Sequence, residues 1–368
     1  MKVNGGKIIN SLQRLLWPLA CLYDLVMRLR NAAFDRGWLP SHRFPCATIA
    51  VGNLAVGGTG KTPHAEYLLR LLSSSFRVAL LSRGYGRRSR GFVMATSEST
   101  AAEIGDEPLQ VYRKYPQITV AVDEKRSEGM ERLLAQATPP QVVVLDDAFQ
   151  HRYVAAGLYV LLTDYSRLYV DDFVLPAGRL RESRRGARRA QVVVVTKCPP
   201  TLDGAAREHI RRHLGLHSGQ KLFFTTFRYG RCCPLFSEHE QKNVAEKTAS
   251  AVLALTGIAR PEPLYDHLSR RGVTVTPLRF PDHHAFTEAD VVRMNRAYAE
   301  MPEGSPAITT EKDAARLRTV AEKLSAPLRS HLMVQPVEVA FVDDHEGKNE
   351  KLFIQTIYDY VTSHQTNR

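Results

Sequence analysis

Lys61 and Thr62 stand where a glycine-rich run ends and a helical pattern begins, a placement suited to gripping phosphate. The stretch reads Val51-Gly-Asn-Leu-Ala-Val-Gly-Gly-Thr-Gly-Lys-Thr-Pro63. Glycines allow a tight turn whose N–H groups face an anion. The lysine ammonium reaches the outer phosphates, and the threonine hydroxyl can take Mg²⁺. The following helix adds its positive end. Ala55, Val56, Gly57, Gly58, Thr59, Gly60, Lys61 and Thr62 are therefore assigned to a nucleotide site for ATP or GTP. The strict pattern has glycine six residues before the lysine, where this chain has Ala55. An ordinary glycine-rich turn is the competing reading, and it leaves the Lys-Thr pair unexplained.

Other segments could complete such a site. Val142-Val-Val-Leu-Asp-Asp147 is an apolar strand ending in Asp146 and Asp147, the arrangement that orients Mg²⁺ opposite a loop threonine. Asp106 and Glu107 open a helical pattern. Asp106 is read either as an N-cap or as a carboxylate that takes a proton from an attacking hydroxyl. Ser82–Arg87 is a basic glycine loop after a strand. Leu175–Glu182 leads into Arg184, Arg185, Arg188 and Arg189, either a solvated charge run or a set of forks for phosphate. In Phe280–Phe286, His283 and His284 are adjacent, a poor spacing for one metal. Polarising a hydroxyl or a carboxylate is the better functional role for a histidine there.

The elements that must position these residues read as an α/β fold. Apolar runs at 47–51, 77–81, 118–122, 142–145, 158–162, 192–195 and 222–226 alternate with helical patterns such as 63–72 and 124–137. Such alternation predicts a P-loop core with a mostly parallel sheet covered on both faces, and functional loops at the carboxyl ends of its strands. Residues 229–250 read as a linker or hairpin. Strand patterns at 251–255, 273–278, 307–309 and 332–339, with helical patterns between them, predict a smaller α/β domain over 251–368. The core then spans 41–228.

Residues 1–40 form an N-terminal amphipathic segment. Ile8, Leu12, Leu15, Leu19, Leu22, Val26, Leu29 and Ala33 repeat at three- and four-residue steps. The longest uncharged run there is too short to span a bilayer, and Arg14 breaks any signal-peptide pattern. The stripe either packs on its own domain or lies in a membrane interface. The net charge of +12 favours an anionic partner. Aromatic residues do not interleave with the arginine run, which argues against a single-strand nucleic-acid platform. The five cysteines lack zinc spacing and read as reduced thiols of a cytosolic protein. The sequence carries no signal of oligomeric state.

Taken in order, eight segments resemble the tetraacyldisaccharide 4'-kinase family, the lipid A 4'-kinases of Gram-negative bacteria. They are Val51–Pro63, Ser82–Arg87, Gly105–Pro108, Val122–Arg126, Leu145–Arg152, Leu175–Glu182, Phe280–Phe286 and Thr310–Asp313. The resemblance implies an ATP- and Mg²⁺-dependent kinase at the cytoplasmic face of the inner membrane. Its lipid substrate is an acylated disaccharide phosphate, tetraacyldisaccharide 1-phosphate, and its product lipid IVA; no nucleic acid is expected. It also implies roles: Lys61 and Thr62 on the phosphates and Mg²⁺, Asp106 as base, His283 supporting it, Arg126 on phosphoryl charge, and Asp146 and Asp147 on the metal. Ala55 stands where that family usually has a small hydroxyl residue. A P-loop kinase for another hydroxyl, or a nucleic-acid-associated ATPase, are the alternatives, and the N-terminal stripe separates the lipid kinase from the ATPase.

Overall fold

The computed structural model describes residues 11–236, 249–282, 284–342 and 347–366. Two sheets organise the chain. The larger has nine strands, β1 Ala47–Asn53, β2 Val78–Ser82, β3 Val93–Met94, β4 Thr119–Val122, β5 Val142–Asp146, β6 Leu158–Asp164, β7 Val192–Thr196, β8 Lys221–Tyr229 and, late in the chain, β14 Val337–Phe341, in the order β14-β8-β7-β6-β1-β5-β2-β4-β3. All pairings are parallel except those of the two edge strands, β14 with β8 and β3 with β4. The smaller sheet contains β9 Cys233–Pro234, β10 Ala251–Thr256, β11 Thr274–Arg279, β12 Ala307–Thr310 and β13 Leu332–Gln335, in the order β11-β10-β12-β13-β9.

The apolar strands are buried because helices cover both faces of the larger sheet. The helices are α1 Ser11–Asp35, α2 Lys61–Ser73, α3 Ala101–Ile104, α4 Asp106–Lys114, α5 Arg126–Leu134, α6 Gly204–Leu214, α7 Glu262–Ser269, α8 Glu288–Ala299, α9 Glu311–Leu317, α10 Ala326–His331 and α11 Lys348–Thr366. Leu68 and Leu69 of α2 and Phe353, Ile357 and Val361 of α11 share one core with Val142 and Val144. Met130 and Leu133 of α5 pack on Leu81 and Val143 on the opposite face, and Ile210 and Leu214 of α6 on Val193 and Val195.

Two boundaries differ from the sequence reading. The run 332–339 is two strands: Pro336 interrupts it, β13 stays in the smaller sheet and β14 joins the larger one. Tyr360 of α11 also bonds both the N–H and the carbonyl of Thr48 in β1. Residues 337–342 and 347–366 thus pack with the larger sheet, not with the smaller one. The segment read as linker begins as structure, since β8 extends to Tyr229 and Cys233–Pro234 pairs with β13; residues 237–248 lie outside the described residues. The five cysteines are free thiols.

The apolar stripe of α1 does not face the protein. Ala20 and Phe34 are buried, whereas Leu15 is 75% exposed, Leu29 is 63% exposed, and Leu19, Leu22, Leu25 and Val26 are also open. Ile8 lies outside the described residues. No helix among the described residues is long and apolar enough to cross a membrane.

Candidate active site

β1 sits at the centre of the larger sheet, between β5 and β6, and its carboxyl end feeds directly into the glycine loop. Gly52 is dictated by proximity, because a Cβ there would lie 2.6 Å from the Cβ of Phe149 in the turn after β5. Gly60 is dictated by conformation. Its φ of 86° is left-handed, and a Cβ would lie 2.5 Å from the Phe227 ring. By contrast, nothing lies within 4 Å of a Cβ placed at Gly57 or Gly58, so that side of the loop is open.

The loop is clamped by its neighbours. Val56 donates its N–H to the Arg179 carbonyl, Arg181 donates its own to the Leu54 carbonyl, and Ala55 bridges Leu180. Ala55 thus holds the loop through its backbone. From the other side the Thr196 hydroxyl donates to the Thr59 carbonyl (2.9 Å), and the Lys197 ammonium to the Gly58 carbonyl while pairing with Asp164 at 2.7 Å. His64, one turn into α2, places Nδ1 2.7 Å from the Gly60 carbonyl and Nε2 3.0 Å from the Thr225 hydroxyl. Burial lowers its pKa to about 4, so it stitches the helix start to β8 as a neutral ring. Sequence reasoning missed Thr196, Lys197 and His64. The signal available was a Thr-Lys pair at the end of an apolar strand and a histidine two residues after Thr62.

Lys61 reaches back over the loop. Its ammonium lies 3.5 Å from Asn53 Oδ1 and 3.7 Å from Asp147 Oδ1. Asp146 and Asp147 stand beside β1, as the register Val51–Asp146 requires, and Asp147 has a left-handed φ of 46° that turns the chain over Gly52. Asp146 is buried, and its Oδ1 has no partner among the described residues. Burial, reinforced by Glu107 and Asp147 against Lys61 and Arg126, raises its pKa to about 7. Arg126, 3% exposed at the start of α5, has its pKa lowered to about 10 by burial, against the opposing pull of Asp146 and Asp147. Its Nε also lacks a partner among the described residues. A buried acid oxygen without a donor suits a cation, and so does Thr62, buried at the first turn of α2. Among the described residues no three His, Cys, Asp or Glu side chains gather as a metal cage, but Mg²⁺ beside phosphates needs only one or two carboxylates.

The raised pKa of Asp146 has a consequence for stability. Between pH 4 and 7 the folded chain holds a proton there that the unfolded chain releases, so stability falls as pH rises through that window. Without ligand, Asp146→Asn is expected to be more stable than the parent at pH 8, by on the order of 1 kcal/mol once the lost longer-range attraction to Lys61 and Arg126 is offset. The gain should shrink towards pH 4. Thermal melts across pH 4–8 check it; a parent that outlasts the variant at pH 8 would refute the assignment.

The second wall comes from α4 and α9. Gly105, with φ of 91°, is the N-cap of α4, so Asp106 is its first helical residue and not the cap. Asp106 lies 3.7 Å from Arg316 Nε. It is Glu107 that looks to the P-loop. Burial would raise its pKa, yet Lys312, Lys61 and the Thr62 hydroxyl outweigh burial and lower it. Every charged residue of the 310–313 segment crosses between the sheets or braces the crossing. Glu311 pairs with Lys114 at 2.6 Å, Lys312 pairs with Glu107, and Asp313 holds Arg316 at 2.6 Å. His284 pairs with Asp290 at 2.8 Å; His283 lies outside the described residues.

A third group forms the rim. Arg181 donates to both oxygens of Asp147 (2.9 and 3.1 Å), Gln150 to the Asn53 carbonyl (2.9 Å) and to Glu182 (3.0 Å), and Arg189 forks onto Glu182. Arg184 donates to the Asp172 carbonyl. Arg184 and Arg189 are therefore tied into the fold by these bonds, although Arg184, like Arg185 and Arg188, is exposed.

A family model described as tetraacyldisaccharide-1-P 4'-kinase matches residues 12–356. The chain belongs to the tetraacyldisaccharide-1-P 4'-kinase family. The match starts inside α1 and ends inside α11, so both sheets are included. A relative from Flavobacterium johnsoniae, named tetraacyldisaccharide 4'-kinase, is 46% identical over 340 residues, covering 92% of this chain and 96% of the relative. One of the same name from Bacteroides fragilis (strain YCH46) is 44% identical over 373 residues, covering 100% and 97%. Among solved structures, the "apo" form LpxK from Aquifex aeolicus in complex with ATP is similar with a TM-score of 0.73 and 27% identity, covering 95% of this chain and 100% of that one. The α/β reading with a P-loop core accords with this family.

Proposed function

We propose that this chain is the ATP-dependent kinase that phosphorylates the 4'-hydroxyl of tetraacyldisaccharide 1-phosphate, giving lipid IVA in lipid A synthesis. Membership of the tetraacyldisaccharide-1-P 4'-kinase family over both sheets carries this reading. The site geometry supports it. The open side of Gly57 and Gly58 and the start of α2 form a cradle for phosphates, with Lys61 at its edge. Thr62, Asp146 and Asp147 would hold Mg²⁺, which neutralises phosphate charge as it shifts to the leaving oxygen.

In the transfer, the sugar 4'-oxygen bonds to the γ-phosphorus, the bond to the bridging oxygen breaks, and ADP leaves. Asp106 accepts the hydroxyl proton, and His283 supports it. Lys61 and Arg126 offset the negative charge of the reacting group. Positioning and charge compensation are the protein's main contributions to such a reaction.

The exposed stripe of α1 supports a peripheral seat on the cytoplasmic leaflet of the inner membrane. An acylated acceptor keeps its sugar at the lipid surface, and α1 offers Leu15, Leu19, Leu22, Val26 and Leu29 on one open face. Each leucine buried there contributes about 1.5–3 kcal/mol. Leu19→Glu combined with Leu22→Glu is therefore expected to cut binding to anionic vesicles more than about tenfold. Vesicle flotation measures this, and undiminished flotation would remove α1 as the contact.

The function itself is tested by incubating the protein with Mg-ATP and tetraacyldisaccharide 1-phosphate, then weighing the lipid by mass spectrometry. The expected product gains one phosphoryl group. A lipid of unchanged mass, beside a reference kinase that works in the same mixture, would overturn the reading.

A further inference from the structure

We propose that the inner face of α1 positions the catalytic rim: Tyr23 and Asn31 seat Arg181 and Glu182, and through them Asp147 and Lys61. This rests on the kinase reading above but adds a role for the helix beyond contact with lipid. An anchor needs only apolar contacts on its protein side. The inner face of α1 instead makes directed polar bonds, and they converge on the residues flanking the P-loop. The Tyr23 hydroxyl donates to the Arg181 carbonyl (2.7 Å), Asn31 Nδ2 to Glu182 Oε2 (2.8 Å) and Arg30 to the Gln150 carbonyl (3.2 Å). In return Arg152 donates to the Asn31 carbonyl at 2.9 Å.

Two routes lead inward from these bonds. Through Glu182, Gln150 is held so that the same amide nitrogen reaches the Asn53 carbonyl, and the Asn53 side chain faces the Lys61 ammonium. Through Arg181, the guanidinium is aimed at Asp147, which in turn faces Lys61. Glu182 is buried, and its two oxygens already receive Asn31, Gln150 and both arms of Arg189, about the four hydrogen bonds a carboxylate can accept. Deleting the Asn31 amide leaves a buried acceptor short and frees the carboxylate to tilt towards Arg189. A shift of about 1 Å at reacting groups can cost about a hundredfold in rate. Tyr23 and Asn31 touch no reacting atom, so they are positioning residues.

The test compares full-length parent with Tyr23→Phe/Asn31→Leu, both in mixed micelles. The variant keeps the outward stripe. Its kcat is expected to fall about tenfold or more. KM for the lipid should change less than about twofold. Its affinity for a non-hydrolysable ATP analogue in Mg²⁺ should drop severalfold, and vesicle flotation should match the parent. A kcat within twofold of the parent, or a loss of flotation with unchanged kcat, would overturn the proposal in favour of a simple anchor. Should the double variant melt markedly lower, Tyr23→Phe alone decides, since it removes a single oxygen: a fall in kcat of about threefold is expected, and no change refutes the route through Arg181. The analogue titration needs no acceptor. If the parent fails to phosphorylate the disaccharide, the functional reading falls, and analogue affinity still judges the positioning role.

Discussion

Replacing Lys61 with methionine is expected to lower kcat for lipid phosphorylation on the order of a thousandfold, with the fold intact. Methionine preserves most of the side-chain length and packing and removes the charge. In the free protein the ammonium lies at the longest range of useful contact, 3.5 Å from Asn53 Oδ1 and 3.7 Å from Asp147. Asp147 retains both bonds from Arg181 when it goes. Stability should therefore change little, because weak, partly exposed pairs contribute about 0–1 kcal/mol. The loss should fall on the transition state, where charge leaves the γ-phosphoryl group and a fixed ammonium in a dry site counts most. Product mass spectrometry gives the rate and a thermal melt checks the fold. A fall of less than about tenfold would mean that the loop binds something other than the transferred phosphates.

Whatever depended on neighbours in the chain was legible before the structure. The P-loop could be read because strand, glycines, Lys61-Thr62 and helix follow one another directly. Asp146 and Asp147 could be read because a strand end beside a P-loop strand carries its own position. Roles that arise when distant segments meet could not. Glu182 and Gln150 matter through contacts with α1 and β1, and Asn31 lies 151 residues from the carboxylate it serves. The α1 stripe shows the difference between a face and a partner. Its period correctly identified a helix with one apolar side, but periodicity does not say whether that side meets protein, and here it is the opposite side that does. The 332–339 run misled because both halves are apolar, although Pro336 marked the break.

The neighbouring acids at the start of α4 give the other large effect. Adjacent helical residues point about 100° apart, so Asp106 and Glu107 cannot do one job. Asp106→Asn is expected to reduce kcat about a hundredfold to ten-thousandfold, the range for loss of a general base. Affinity for an ATP analogue should stay near that of the parent. The competing role is a brace, since Asp106 lies 3.7 Å from Arg316. Yet Arg316 is also held by Asp313 at 2.6 Å and by the carbonyls of Gly257 and His284 at 3.1 and 3.0 Å. Removing one long contact from so well bonded a guanidinium should cost about 1 kcal/mol or less. Bracing Arg316 thus cannot by itself account for a hundredfold loss of turnover in a folded protein. Glu107→Gln should behave differently, because Glu107 pairs with Lys312 and bears on Lys61 and Thr62. Its main loss is expected in affinity for the ATP analogue, by about tenfold. If the pattern is reversed, with Asp106→Asn weakening nucleotide binding and Glu107→Gln abolishing turnover, the proton acceptor is Glu107 and the carboxylate beside Arg316 is the brace.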